Sequence, residues 1–346
     1  MKAARLHTAN SDFVLDDVPV PEPGPGQVRI RIAGAGACHS DLHIKTGEVQ
    51  GVALPHTLGH ENAGWVDAFG PGTEGQGFEL GDAVVVFGGW GCGHCRVCLG
   101  GQEQLCDTFL WGGMGPEGGY AEYMVVPSIR QLLPSGGLDP VDAATLTDAA
   151  LTPYSAVKKT LPYLVPGTSA VLIGAGGLGQ YGVQFLKLLS PATVIVVETD
   201  ARKRDLALQL GADVVVDPSS DDAVGKIMDA TAGQGAAAVL DFVGIDATMT
   251  MGTAVVGRLG LFVLVGLAGG SVPFSFFGIA PGATLTKSNW GSRNELEEVL
   301  SMAARGALVS HIERFPLEEI NDVFARLEAG KILGRAVLVP GGNAPG

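Results

Sequence analysis

A strand, a glycine turn and a helix follow one another at residues 169–190, SAVLIGAGGLGQYGVQFLKLLS. Nothing else in the chain narrows the fold so much. Gly174, Gly176 and Gly179 form G-x-G-x-x-G between an apolar run and an amphipathic one, with Gly177 in the same loop. That spacing alone is a weak signal; its place after a strand and at the start of a helix gives it weight. The first glycine allows a tight turn, the second lets a pyrophosphate approach the backbone, and the third permits close helix–sheet contact. The helix N-terminus adds positive potential for phosphate. Strand and helix then alternate: TVIVVETD (193–200), ARKRDLALQLGA (201–212), DVVVD (213–217), AVGKIMDATAG (223–233), AAAVLDFVG (236–244) and LGLFVLVGL (259–267). This alternation predicts an α/β domain, a doubly wound parallel sheet of the Rossmann type. Glu198 ends the next strand, 19 residues after Gly179. A carboxylate there accepts hydrogen bonds from ribose hydroxyls and repels a 2′-phosphate, which favours NAD over NADP. Arg202 and Lys203 follow closely, cations within reach of the same part of the nucleotide.

The first 130 residues have another texture. VRIRIAGAG (28–36), NAGWVDAFG (62–70) and DAVVVFG (82–88) read as strands separated by Gly and Pro, with PVPEPGPGQ (19–27) a turn-forming linker. The pattern changes near Asp148, and LTPYSAVKKTL (151–161) has helical spacing. NELEEVLSMAARG (294–306) and LEEINDVFARLEAG (317–330) are further expected helices, before a final strand in GRAVLVP (334–340). At 346 residues, with 46% hydrophobic and 17% charged, the chain is long and apolar enough for about two cored domains. A net charge of −14 argues against nucleic acid or an anionic membrane as partner. No apolar stretch reaches the roughly 18–20 residues of a spanning helix. MKAARLHTANSDFVL lacks the apolar region of a signal peptide, so a reducing, cytoplasmic setting is expected.

Four of the five cysteines, Cys92, Cys95, Cys98 and Cys106, are spaced C-x2-C-x2-C-x7-C. Four thiolates close a tetrahedral cage around Zn²⁺ with no position left for substrate, so this metal would be structural. Disulfides would require an oxidising compartment. The bacterial iron–sulfur run closes with a gap of three rather than seven. Free thiols are the remaining alternative. Cys38 stands alone in AGAGACHSDLH, and Gly59, His60 and Glu61 follow. A lone Cys and a distant His are what a second, open zinc site needs.

The motifs ACHSDLH (37–43), TLGHE (57–61), the four-cysteine lobe, LTDAALTPY (146–154), IGAGGLG (173–179) and GRAVLVP (334–340) carry a family likeness. On them, and over nearly its whole length, the chain resembles the zinc-dependent medium-chain alcohol dehydrogenases. WGCG (90–93), LTDAALTPY and NWG (289–291) make it most similar to the bacterial NAD-dependent secondary-alcohol dehydrogenases and phenylacetaldehyde-type aryl-aldehyde reductases. The resemblance implies a GroES-like β domain at 1–150 and 289–346 that holds two zincs, and a Rossmann NAD-binding domain at 151–288. The active site is expected in the cleft between them.

Residue by residue, the resemblance implies that Cys38, His60 and Asp148 ligate the catalytic zinc, with water or substrate in the fourth position. Many relatives have cysteine where this chain has Asp148, a harder ligand. Glu61 is expected to approach the zinc as water exchanges for substrate, and Asp41 to orient the ligating histidine. Zinc acidifies the alcohol; Ser40 and His43 then relay its proton through the nicotinamide ribose to solvent. His39 and Arg335 match pyrophosphate contacts, and Thr152 and Leu178 match residues that hold the nicotinamide ring. Trp111, Phe277 and Trp290 match pocket-lining stretches and suggest a medium-sized apolar or aryl substrate. The implied reaction is reversible: alcohol plus NAD⁺ gives aldehyde or ketone plus NADH and H⁺. A homo-oligomer, commonly a tetramer, is implied, with the last Rossmann strand, around 259–267, near the subunit contact. GEVQGVALP (47–55) departs from the relatives, which leaves primary and secondary alcohols both open. Three rivals remain. A polyol or other zinc dehydrogenase of the same superfamily would add polar groups to the pocket. A zinc-free double-bond reductase is disfavoured by the complete ligand set. A non-catalytic nucleotide-binding zinc protein would leave Ser40 and His43 without purpose.

Overall fold

Apolar residues alternate along the strands in one part of the chain and run unbroken in another, and the two patterns fold into two units. One comprises Met1–Leu151 with Gly291–Gly346, the other Thr152–Trp290. The computed structural model describes residues 1–49, 51–220 and 222–341. Gln50, inside the divergent segment GEVQGVALP, lies outside the described residues.

The first unit opens with strands β1 (Lys2–Leu6), β2 (Phe13–Asp17) and β3 (Val28–Gly36), helix α1 (His39–Lys45), and strands β4 (His56–Thr57), β5 (Glu61–Phe69) and β6 (Ala83–Val86). Helix α2 (Arg96–Leu99), strands β7 (Tyr123–Val126) and β8 (Leu132–Pro134), and helix α3 (Pro140–Ala143) lead to the boundary. Next come α4 (Leu151–Thr160), β9 (Ser169–Ile173), α5 (Gly179–Leu189), β10 (Thr193–Val197), α6 (Ala201–Gln209) and β11 (Val214–Val216). The second unit continues with α7 (Ala223–Ala230), β12 (Ala236–Asp241), α8 (Asp246–Val255), β13 (Val256–Leu264) and β14 (Thr284–Lys287). The chain returns to the first unit for α9 (Arg293–Ala304), β15 (Ile312–Pro316), α10 (Ile320–Glu328) and β16 (Arg335–Val339).

In the first unit the two-residue period of a strand does the sorting. Val28, Ile30 and Ile32 of β3 are fully buried. Between them Arg29 reaches Asp67 at 2.5 Å, and Arg31 lies over the Trp65 ring at 4.9 Å. The main sheet runs β15-β16-β3-β5-β6-β8, with β7 paired to β3, and a smaller sheet runs β2-β1-β4. Leu6, Phe13, Ile30, Ile32, Tyr120, Phe324 and Leu338 share one core. Each such side chain contributes about 1.5–3 kcal/mol by leaving water. ACHSDLH lies in a region read as strands and turns, yet its residues from His39 onward open α1. Asp41, at the third position of that helix, accepts the Cys38 backbone N–H at 3.2 Å and closes its first turn.

In the second unit β9, β10 and β12 are buried almost throughout, as a sheet flanked by helices requires. The order is β11-β10-β9-β12-β13-β14, all parallel. Strand order reverses between β9 and β12, the place where such sheets open a crevice at their carboxyl ends. The sequence pattern ends this sheet at 259–267, but β14 pairs outside β13 and forms its edge. The four residues of β14, TLTK, are mostly exposed and carry little apolar signal.

Candidate metal and cofactor sites

Three elements of the first unit deliver one cluster. Cys38 precedes α1, His60 precedes β5, and Asp148 follows the 3-10 turn Ala144–Thr147. Asp148 Oδ2 lies 3.4 Å from His60 Nε2 and 3.8 Å from Cys38 Sγ. A tetrahedral zinc with bonds of about 2.0–2.3 Å separates its ligands by about 3.3–3.8 Å, so the donor set fits the ion. Asp41 Oδ1 stands 3.3 Å from His60 Nδ1 and accepts its proton, which turns Nε2 toward the other two ligands. Ser40 Oγ is 3.6 Å from Cys38 Sγ. The cluster is buried and rich in acceptors. Burial disfavours a charged imidazole, yet Asp41 and Asp148 outweigh it and hold His60 well above its ordinary pKa. The surroundings therefore draw positive charge to this point.

Glu61 joins the same group, its carboxylate within 4.8 Å of the other ligand atoms. It is fully buried, and burial pushes its carboxyl up to about 7 against the opposing pull of Arg335. Arg335 was expected to meet a pyrophosphate. Its guanidinium is buried and grips both Glu61 oxygens, with Nε 3.0 Å from Oε2. Tyr120, which the sequence analysis passed over, donates to Asp41 Oδ2 at 2.7 Å. Burial and the Asp41 charge hold its phenol well above the ordinary value, so it stays a donor.

Ser40 and His43, expected to relay the proton, share α1. His43 lies three residues after Ser40 on one helical face. Its Nδ1 is 2.7 Å from Glu48 Oε2, and Thr46 steadies the same carboxylate at 3.0 Å. Glu48 is a second residue the sequence reading missed, though an acid five positions after His43 is a visible signal.

The cysteine lobe forms a second cluster. Cys92 and Cys98 sulfurs are 3.9 Å apart, as are Cys95 and Cys106, and all five cysteines of the chain are free thiols. These spacings also suit a tetrahedral zinc, here with four sulfur ligands. Backbone N–H groups already point at the sulfurs: Cys92 to Cys106 at 3.4 Å and Cys95 to Cys92 at 3.3 Å. Such donors favour thiolate. The Cys92 N–H and Thr108 pull the Cys106 thiol down to about 6, whereas burial pushes Cys98 up to about 12.

The glycine turn of the second unit separates its three roles. Gly174 has φ +92° and a Cβ there would meet Val243 at 2.7 Å; a Cβ on Gly179 would meet the Gly174 carbonyl at 2.1 Å. Around Gly176 a Cβ would find no heavy atom within 4 Å. The first and third glycines serve the fold, and the second leaves room for a ligand. Glu198 Oε2 accepts the Ala175 N–H at 2.8 Å, which sets its carboxylate against the turn. Arg202 is paired with Asp200 at 2.6 Å, and Lys203 sits in the first turn of α6.

The remaining expected residues lie on separate elements of the two units. His39 is exposed at the start of α1, Thr152 is buried in α4, and Leu178 leads into α5. Trp111 packs against Phe109 with ring centroids 5.0 Å apart. Trp290 is half-buried with φ +48°, a region that bulky residues seldom occupy. Phe277 departs from expectation: it is 95% exposed. It stacks edge-on to Phe276 in the connection between β13 and β14, at 5.0 Å.

Residues 24–136 match the alcohol dehydrogenase GroES-like domain, and residues 177–305 match the zinc-binding dehydrogenase domain. The chain is 38% identical to an NAD-dependent alcohol dehydrogenase of Sulfurisphaera tokodaii, covering 98% of this chain and 100% of that protein. It is 37% identical to a D-arabinose 1-dehydrogenase (NADP⁺) of Saccharolobus solfataricus, covering 98% and 97%. The crystal structure of the alcohol dehydrogenase from Aeropyrum pernix matches with a TM-score of 0.91 at 38% identity, over 98% of this chain and 100% of that one. The chain belongs to the zinc-dependent medium-chain alcohol dehydrogenase family, with a GroES-like β domain and a Rossmann domain.

Proposed function

We propose that this enzyme transfers a hydride reversibly between NAD and a medium-sized apolar or aryl alcohol, giving an aldehyde or ketone. One observation carries the reading: Cys38, His60 and Asp148 converge at tetrahedral spacing while Asp41 fixes the imidazole. Three protein ligands leave a fourth position for substrate. A zinc ion held there supplies the Lewis acidity that lowers the pKa of an alcohol hydroxyl. The four-cysteine lobe holds a second, structural zinc. Ser40, beside Cys38 Sγ, takes the hydroxyl proton, and His43 passes it toward Glu48 and solvent. Gly174, Gly176, Gly177 and Gly179 cradle the pyrophosphate, and Glu198 accepts from the adenosine ribose. Arg335 serves by neutralising Glu61.

A sugar or polyol substrate is the second reading, favoured by the likeness to a D-arabinose dehydrogenase. The Trp111–Phe109 pair supports the apolar one. Five free cysteines support a reducing, cytoplasmic setting. Self-association, as a tetramer, is supported by the open edge of β14 and by Leu259, Phe274, Phe276 and Phe277, all strongly exposed. Light scattering on the purified protein tests that assembly.

The test of function is nicotinamide absorbance during turnover of primary, secondary, aryl and sugar alcohols with NAD and NADP in parallel. Turnover with NAD, led by apolar alcohols, is expected. A protein with two zincs per chain and no turnover in any arm would refute the dehydrogenase reading.

A further inference from the structure

A phenol buried among apolar rings needs a reason. Tyr120 is fully buried, edge-on to Phe13 and Phe324 with ring centroids at 6.2 and 5.9 Å. A phenylalanine would fill that space without a hydroxyl to desolvate. Two backbone bonds fix the residue: its N–H donates to Leu58 at 3.0 Å and its carbonyl accepts from Ala4 at 2.8 Å. Its ring edge meets the backbone at Gly59, beside His60. Gly59 has φ +102°, and a Cβ there would stand 2.6 Å from Tyr120 Cδ1. The ring, the glycine and the ligating histidine are thus one assembly.

The hydroxyl has two acceptors in reach, Asp41 Oδ2 at 2.7 Å and the Gly36 carbonyl at 3.2 Å, and the shorter contact takes the proton. Asp41 Oδ2 also accepts the Cys38 N–H. With that oxygen held by two donors, Oδ1 is the one left for His60 Nδ1. A carboxylate anchored on one side cannot rotate away from the imidazole on the other.

We propose that Tyr120 is a positioning residue of the metal centre: its hydroxyl locks Asp41 so that His60 keeps its Nδ1 proton and presents Nε2 to the zinc. This rests on the catalytic-zinc reading above. Outer contacts of this kind typically change metal affinity or activity 10–100-fold.

The experiment compares the full zinc-loaded chain with Tyr120→Phe, Asp41→Asn and the double variant. The readouts are zinc release to a chelator, the visible spectrum of the cobalt-substituted protein, and kcat against KM. Tyr120→Phe is expected to release the first zinc about tenfold faster, shift the cobalt bands, and lower kcat more than KM. In the Asp41→Asn background the same change is expected to add little, because both act through one contact. A purely structural tyrosine would give additive losses and an unmoved spectrum, and that result overturns the proposal. If Tyr120→Phe does not fold, 3-fluorotyrosine placed at 120 keeps the shape and donates more strongly. Slower zinc release then supports the lock, and unchanged release overturns it. A parent chain that binds only one zinc would refute the underlying reading; two zincs with an indifferent Tyr120→Phe would refute this proposal alone.

Discussion

Arg335 and Glu61 form a forked, fully buried ion pair, 274 residues apart in sequence and beside the Cys38–His60–Asp148 cluster. Gly36 makes room for it, since a Cβ there would sit 1.9 Å from Glu61 Oε2. Removing one partner strands the other charge, which costs about 3–5 kcal/mol. Arg335→Met is therefore expected to lower unfolding free energy by about that amount in urea titrations. Adding Glu61→Gln removes the stranded charge and should recover at least half of the loss. An Arg335→Met protein as stable as the parent would show that the pair carries no such burden.

The zinc-stripped chain should weaken as pH rises. Glu61 is raised from 4.5 to about 7 by burial, and His60 is raised above 6.5. Each holds a proton in the folded state that the unfolded chain gives up. Their stabilisation is complete below the unfolded values and is lost as pH climbs through the folded ones. The Glu61 share is about 3 kcal/mol. Zinc binding has the opposite pH dependence, because its ligands must be deprotonated. Calorimetry of loaded and stripped protein at about pH 5.5 and about pH 8 should show the Tm gap widening at the higher pH. A constant gap would contradict the assignment of these groups.

The parts of this molecule that were legible in sequence are those whose logic is local. The turn at Gly174–Gly179 announces itself because strand, turn and helix are contiguous. The four-cysteine lobe does so because its ligands fall within one short run. Cys38 and His60 were visible as residue types, but Asp148, 110 residues from Cys38, entered only through a family likeness. Tyr120 gave no signal, because a tyrosine in a strand-like stretch reads as core and only the fold brings Asp41 to its hydroxyl. For Arg335 the sequence shows a cation but not its partner Glu61, which lies 274 residues away. Phe277 was read as pocket lining because an aromatic residue shows its area and not its exposure.

Two glycines of one motif should fail in different ways. Gly179→Ala drives a methyl into the Gly174 carbonyl, so the defect is in folding. Overpacking of this kind costs about 1–3 kcal/mol, or several degrees of Tm. Gly176→Ala meets no protein atom within 4 Å, so the fold should be kept. On the proposed cofactor site that methyl enters the space a pyrophosphate needs, and KM for NAD is expected to rise about tenfold or more. Thermal melts and NAD titrations separate the two. Equal Tm losses with unchanged NAD binding would remove Gly176 from the cofactor site.

Cofactor choice should turn on Glu198. One oxygen accepts the Ala175 N–H at 2.8 Å and the other the Asp200 N–H at 2.9 Å, so the carboxylate is fixed at the mouth of the glycine turn. A fixed negative charge there repels a 2′-phosphate and favours a free 2′-hydroxyl. Arg202, the nearby cation that could offset it, is already paired with Asp200. Glu198→Gln keeps the size and removes the charge. The ratio of kcat/KM for NAD over NADP is expected to fall at least about tenfold, equivalent to ~1.4 kcal/mol, with most of the change in NADP binding. Steady-state kinetics with both cofactors on one alcohol measure it. An unchanged ratio would mean that the discriminating charge lies elsewhere on the second unit, with Arg202 and Lys203 the next residues to exchange.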